Sequence, residues 1–105
     1  MPEQIAFRMI LNPGEAAEYE KRHDEIFPDL AKALTEAGVS DYSIWHDPLS
    51  NHLFGILTRT DDHTMDDLPD LEIVKRWWVH MADIMEADEN NVPTQVPLKR
   101  VFYQP

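Results

Sequence analysis

Apolar residues recur at alternate positions from Ile5 through Phe7 and Met9 to Leu11, while Ala6 and Ile10 add apolar character on the other parity. Alternation predicts a strand, and filling both parities predicts a strand covered on both sides. Asn12, Pro13 and Gly14 then interrupt the chain and the period changes. From about Glu15 to Ala37 the inward positions fall three and four apart, at Ala16, Tyr19, His23, Ile26, Leu30, Ala33 or Leu34, and Ala37, which is the spacing of one helix face. Gly38 follows as the expected C-terminal cap. Pro28 sits inside this pattern, where it removes a backbone donor and disfavours helical geometry at Phe27, so a kink or break is expected there.

The runs VSDYSIWHD and HLFGILTRT read as two strands of a hairpin across a turn-rich link. A polar stretch from Asp61 to Asp70, with room for one short helical turn, leads to a helix over Leu71–Met85. ADENNVPTQVP reads as a loop, and Leu98 to Tyr103 as a last strand. The order βαββαβ predicts an α+β, ferredoxin-like antiparallel sheet with both helices on one face. Bulky residues nevertheless occupy both strand parities, Phe54 and Ile56 against Leu53 and Leu57, and Tyr42 and Ile44 against Trp45. The face away from the helices therefore needs a cover, and a second copy packed sheet to sheet supplies one, so a homodimer is expected.

Composition narrows the class. With 105 residues, 43% apolar and 28% charged, the chain suits one soluble domain over residues 1–105. No apolar run is long enough to span a membrane, the start MPEQIAF lacks the pattern of a signal peptide, and cysteine is absent. A cytoplasmic location is the expectation. A formal net charge of -11 repels nucleic acid and anionic lipid at long range and favours a neutral or cationic partner, though such acidity also serves simple solubility.

The candidate chemistry is sparse. Five histidines show no zinc-binding spacing, and His80 with Asp83 is only a helical i, i+3 pair, so no metal is expected. Three glycines form no phosphate-cradling loop, no thiol is available, and Ser40, Ser43 and Ser50 lack a nucleophile's context. Tyr19 and His23 remain, one turn apart on the inward stripe, where both carry polar atoms that need partners. With Tyr42, Trp77 and Trp78 nearby they make either a polar-lined pocket beneath the helices or a satisfied core pair. Arg22 and Asp24, on other faces, read as solvated charges. In KRWWVHM one stripe runs Leu71, Val74, Trp78, Met81, Met85 and another runs Ile73, Trp77, His80, Ile84. Periodicity alone reads both tryptophans as core.

The runs EYEKRHDEIFPDLAKALTEAGVSDYSIWHD, KRWWVHMADIM and VPLKRVFYQP, in that order and with almost no room for insertion, resemble the L-rhamnose mutarotase family over nearly the whole chain. The resemblance implies a dimeric ferredoxin-like α+β fold and interconversion of the α and β anomers of L-rhamnose without a cofactor. It also implies that His23, the histidine of the YxxRH pattern, is the proton donor, with Tyr19, Tyr42, Trp77 and Trp78 binding the sugar. The general base is left open among the Tyr19 phenol, His80 and a water. Two other classes suit an aromatic pocket with one histidine: a cofactor-independent monooxygenase of the dimeric α+β barrel type, and a non-catalytic small-molecule-binding module.

Overall fold

The computed structural model describes all 105 residues. The elements are β1 (Glu3–Ile10), α1 (Ala16–Asp24), α2 (Pro28–Glu36), β2 (Val39–Asp47), β3 (His52–Arg59), a 3-10 turn (Met65–Asp70), α3 (Glu72–Met81) and β4 (Val96–Pro97). The long helical pattern breaks where Pro28 predicts: α1 ends at Asp24, Phe27 is extended, and Pro28 opens α2 at a first-turn position whose missing donor costs nothing. Gly38 takes a positive φ of +94° after α2, and a side chain there would meet the Thr60 hydroxyl.

The four strands lie in the order β2-β3-β1-β4, all neighbours antiparallel. This is the ferredoxin-like arrangement that the element order predicts. Met9 faces Leu53 across the β1–β3 ladder, and both are buried beneath the helices together with Leu57 and Leu11. Tyr19, Leu30, Val74, Trp77 and Met81 from the three helices close the same core. The opposite sheet face carries Arg8, Trp45, Phe54 and Ile56; Trp45 is 64% exposed. No helix is long and apolar enough to cross a membrane.

Two expected elements differ from those observed. Helix α3 stops at Met81, four residues before Met85, because the chain turns there: Ile84 and Met85 are still buried, but Asn12 N–H bonds to the Ile84 carbonyl and Leu11 bridges to Met85. The last strand is also misplaced by the sequence pattern. Pairing with β1 is confined to Val96–Pro97, where proline has no donor to extend the ladder, and Leu98 N–H makes one further bond to the Ala6 carbonyl. The segment from Leu98 to Tyr103 forms no strand, and Val101, Phe102 and Tyr103 stand exposed.

Candidate active site

Between the sheet and the helices lies a cavity of about 970 Å³. Its lining explains the stripe on the first helical segment: Ala16, Tyr19, His23, Ile26, Leu30 and Leu34 all border it. Tyr42 and His46 come from β2, and Trp77 and Trp78 from α3. All five site residues expected from the sequence therefore meet in one cavity.

The arrangement around His23 is specific. Its ring lies 4.3 Å from the Tyr19 ring and meets Trp77 edge-on at 5.3 Å and 89°. Its Nδ1 sits 3.0 Å from the Tyr19 backbone carbonyl, which can only accept, so Nδ1 carries a proton and donates it. Nε2 is then the nitrogen that gains or loses a proton. Burial pushes the His23 pKa below the ordinary 6.5 because it disfavours the imidazolium; the Tyr19 carbonyl and the Asp24 charge oppose this only in part.

The phenols are pushed the other way. Burial, and secondarily the charge of Tyr42, raises Tyr19 well above the usual phenol range. Burial pushes Tyr42 up to about 12. Tyr42 lines the cavity although the residue is 39% exposed, and desolvation of its phenolate is the cause of the rise. Both phenols thus stay protonated near neutral pH, able to donate and accept hydrogen bonds.

A strand irregularity aims Tyr42. Ser40 pairs with Thr58 and Ser43 with Ile56, so Asp41 and Tyr42 together oppose Leu57 in a bulge, with Asp41 at φ +49°. The extra residue shifts parity, and from Tyr42 onward the cavity side of β2 reads Tyr42, Ile44, His46. Beneath them Gly55 faces Phe7 across the ladder, and a Cβ on Gly55 would lie 2.4 Å from the Phe7 ring. The absent side chain makes room for Phe7, whose ring sits 6.2 Å from that of Tyr42.

The two tryptophans are not equivalent. The buried stripe of α3 is Val74, Trp77 and Met81, so Trp77, not Trp78, shares the core line with Val74 and Met81; Trp78 is half-buried at the cavity. Trp77 also packs against Phe27 at 5.0 Å and His80 at 5.5 Å. His80 is exposed and does not border the cavity. His46 does, with Nε2 3.2 Å from Asn51 Oδ1, and the sequence pattern did not single it out because one histidine in a strand carries no spacing signal. Nor is Arg22 a solvated charge: its side chain is 16% exposed and reaches across to α3. No group of three His, Asp or Glu side chains is placed to hold a metal ion.

Known proteins share this sequence and fold. The L-rhamnose mutarotase family profile matches residues 4–104. L-rhamnose mutarotases of Paraburkholderia phytofirmans and Jannaschia sp. are 56% identical over 101 residues and 57% identical over 103, covering 96% and 98% of this chain and 94% and 99% of those proteins. The crystal structure of L-rhamnose mutarotase from Formosa agariphila superposes with a TM-score of 0.92 at 43% identity, covering 98% of this chain and 99% of that one. The matched span takes in α1, β2 and α3, the elements that line the cavity, and the chain belongs to the L-rhamnose mutarotase family.

Proposed function

We propose that this chain interconverts the α and β anomers of L-rhamnose in the cavity between sheet and helices, with His23 carrying the proton and Tyr19, Tyr42, Trp77 and Trp78 holding the sugar. Membership of the family sets aside the monooxygenase and the non-catalytic binding module. The observation that carries the residue assignment is the fixed tautomer of His23, which leaves one titratable nitrogen, Nε2, in a ring packed against Tyr19 and Trp77.

Ring opening needs a proton on the ring oxygen and the loss of one from the anomeric hydroxyl. The His23 imidazolium gives its Nε2 proton to the ring oxygen as the C1–O5 bond breaks and its electron pair moves to that oxygen. The anomeric hydroxyl gives its proton to water, and its oxygen becomes the aldehyde carbonyl. After rotation about C1–C2 the O5 hydroxyl attacks the other face of the aldehyde, neutral His23 retakes the O5 proton, the protonated water returns its proton to the former carbonyl oxygen, and no net proton or electron is consumed. A lowered pKa makes the imidazolium a ready donor. Protonated phenols are unsuited to act as the base and His80 lies outside the cavity, so of the acceptors expected from the sequence water is the one that fits. Indole faces cover the apolar side of a sugar that has a methyl where other hexoses have a hydroxymethyl.

The active species is a homodimer joined through the outer sheet face. Trp45, Phe54 and Ile56 lie there beside Arg8, whose Nε is buried with no partner in the single chain, and a buried unpaired donor is costly unless a neighbouring surface supplies an acceptor. The exposed Val101, Phe102 and Tyr103 add apolar surface in need of cover.

NMR exchange spectroscopy on equilibrated L-rhamnose, L-fucose and D-mannose, with and without protein, tests the activity. Faster anomer exchange for L-rhamnose than for the other sugars supports the assignment, and exchange of D-mannose or L-fucose in preference would reassign the substrate.

A further inference from the structure

Arg22 directly precedes His23, and a helix turns about 100° per residue, so its side chain leaves the cavity face. It does not go to solvent. Nε donates to Glu18 Oε2 at 3.0 Å, one turn back on α1. Nη1 donates to Asp83 Oδ1 at 2.8 Å and to the His80 backbone carbonyl at 2.5 Å, and Nη2 donates to Asp83 Oδ2 at 3.3 Å. The His80 carbonyl belongs to the last turn of α3, where unsatisfied carbonyls give the helix end partial negative charge, and Asp83 lies just beyond it. The three bonds to His80 and Asp83 are the only side-chain hydrogen bonds that join α1 to the end of α3.

The contacts interleave with the site. Glu18 and Arg22 stand immediately before Tyr19 and His23 on α1, while His80 follows Trp77 by one turn on α3. One guanidinium thus fixes both the rotation of α1 and its separation from the helix that carries Trp77. A planar fork can serve three acceptors in fixed directions; an ammonium cannot. As a stabilising ion pair the cluster would count for little, because Asp83 is largely exposed and screened by water. Geometry is a different matter, since displacing a reacting group by about 1 Å can cost around 10²-fold in rate.

We infer that Arg22 is a positioning residue of the sugar site: it clamps α1 to the C-terminal end of α3 and so sets His23 and Tyr19 against Trp77. The inference rests on the reading of His23 as the proton carrier.

The test combines kinetics with a spectroscopic probe on the full-length protein. In Arg22→Met the anomer-exchange kcat should fall by about 10- to 10²-fold with KM changed much less. Arg22→Lys should not rescue it, having lost the fork. Asp83→Asn should fall in the same direction by a smaller factor, and the double variant Arg22→Met with Asp83→Asn should be no worse than Arg22→Met alone, because both remove one shared contact. The His23 ring-proton resonances, displaced by the edge-on Trp77 ring, should move toward unstacked values in Arg22→Met. That readout needs no turnover, so it separates failure of the clamp from failure of the catalytic reading. A folded Arg22→Lys with wild-type kcat overturns the inference, as does a loss of rate with His23 resonances at wild-type positions or strictly additive losses in the double variant. If Arg22→Met does not fold, Arg22→Lys and Asp83→Asn decide by the same criteria.

Discussion

At the level of single residues, burial sets the proton affinities of the cavity's titratable groups in opposite directions. Burial lowers His23 and raises Tyr19 and Tyr42, which suits the proton-carrying role proposed for His23 while both phenols stay protonated. The exchange rate should titrate with a midpoint below 6.5, falling as pH rises through it, because the proposed donor is the imidazolium; a pH–rate profile at saturating sugar checks this, and a rise with pH would assign His23 to the base instead. Stability follows the same shift with a definite sign. Below about 6.5 the unfolded chain binds a proton that folded His23 resists, so acidification from 6.5 toward the lowered folded value removes stability, and urea midpoints in His23→Asn should lose that part of the pH dependence. The tryptophans separate into roles by burial. Trp77→Ala should cost about 3 to 5 kcal/mol of stability as well as binding. Trp78→Ala, truncating a half-buried ring, should cost less stability and act mainly on sugar affinity, which thermal melts and titration calorimetry distinguish.

Among the elements, those with a strong period were legible in sequence and those set by tertiary pairing were not. The inward stripe from Ala16 to Leu34 became the cavity wall, and Pro28 marked the break between α1 and α2, because both effects are local to the helix. The end of α3 was not legible: Ile84 and Met85 continue the apolar stripe, yet they are buried by a turn against Asn12 and Leu11, a contact distant in sequence. The C-terminal run looked like a strand by composition alone, while β4 is fixed by pairing with Phe7 and Arg8 upstream of it. The bulge at Asp41 and Tyr42 was equally hidden, since Asp at positive φ is recognisable only from the backbone. Tyr19, His23, Tyr42 and the tryptophans were found through a family resemblance, whereas periodicity alone left pocket and core undecided. The sheet floor offers its own check. Gly55→Ala should push the Phe7 ring from its place beside Tyr42 and weaken L-rhamnose binding with little change in circular dichroism, and an unchanged affinity would show that the floor yields without consequence.

For the whole molecule, an acidic surface suits a neutral sugar, and the uncovered face of the sheet calls for a second copy. Light scattering at micromolar concentration should give about twice 12.2 kDa, with an interface above roughly 1,000 Å²; a monomer would leave Arg8 and Trp45 without the cover proposed for them. Assembly, helix placement and proton affinities all bear on the one claim that His23 moves the ring-oxygen proton of L-rhamnose. Its most direct measurement is anomer exchange and sugar binding recorded by NMR on the same samples of wild-type protein and His23→Asn. The variant should bind L-rhamnose within a few-fold of wild type while exchange falls by about 10² or more. Equal binding with exchange at the wild-type rate would contradict the account and leave His23 as a packed core residue.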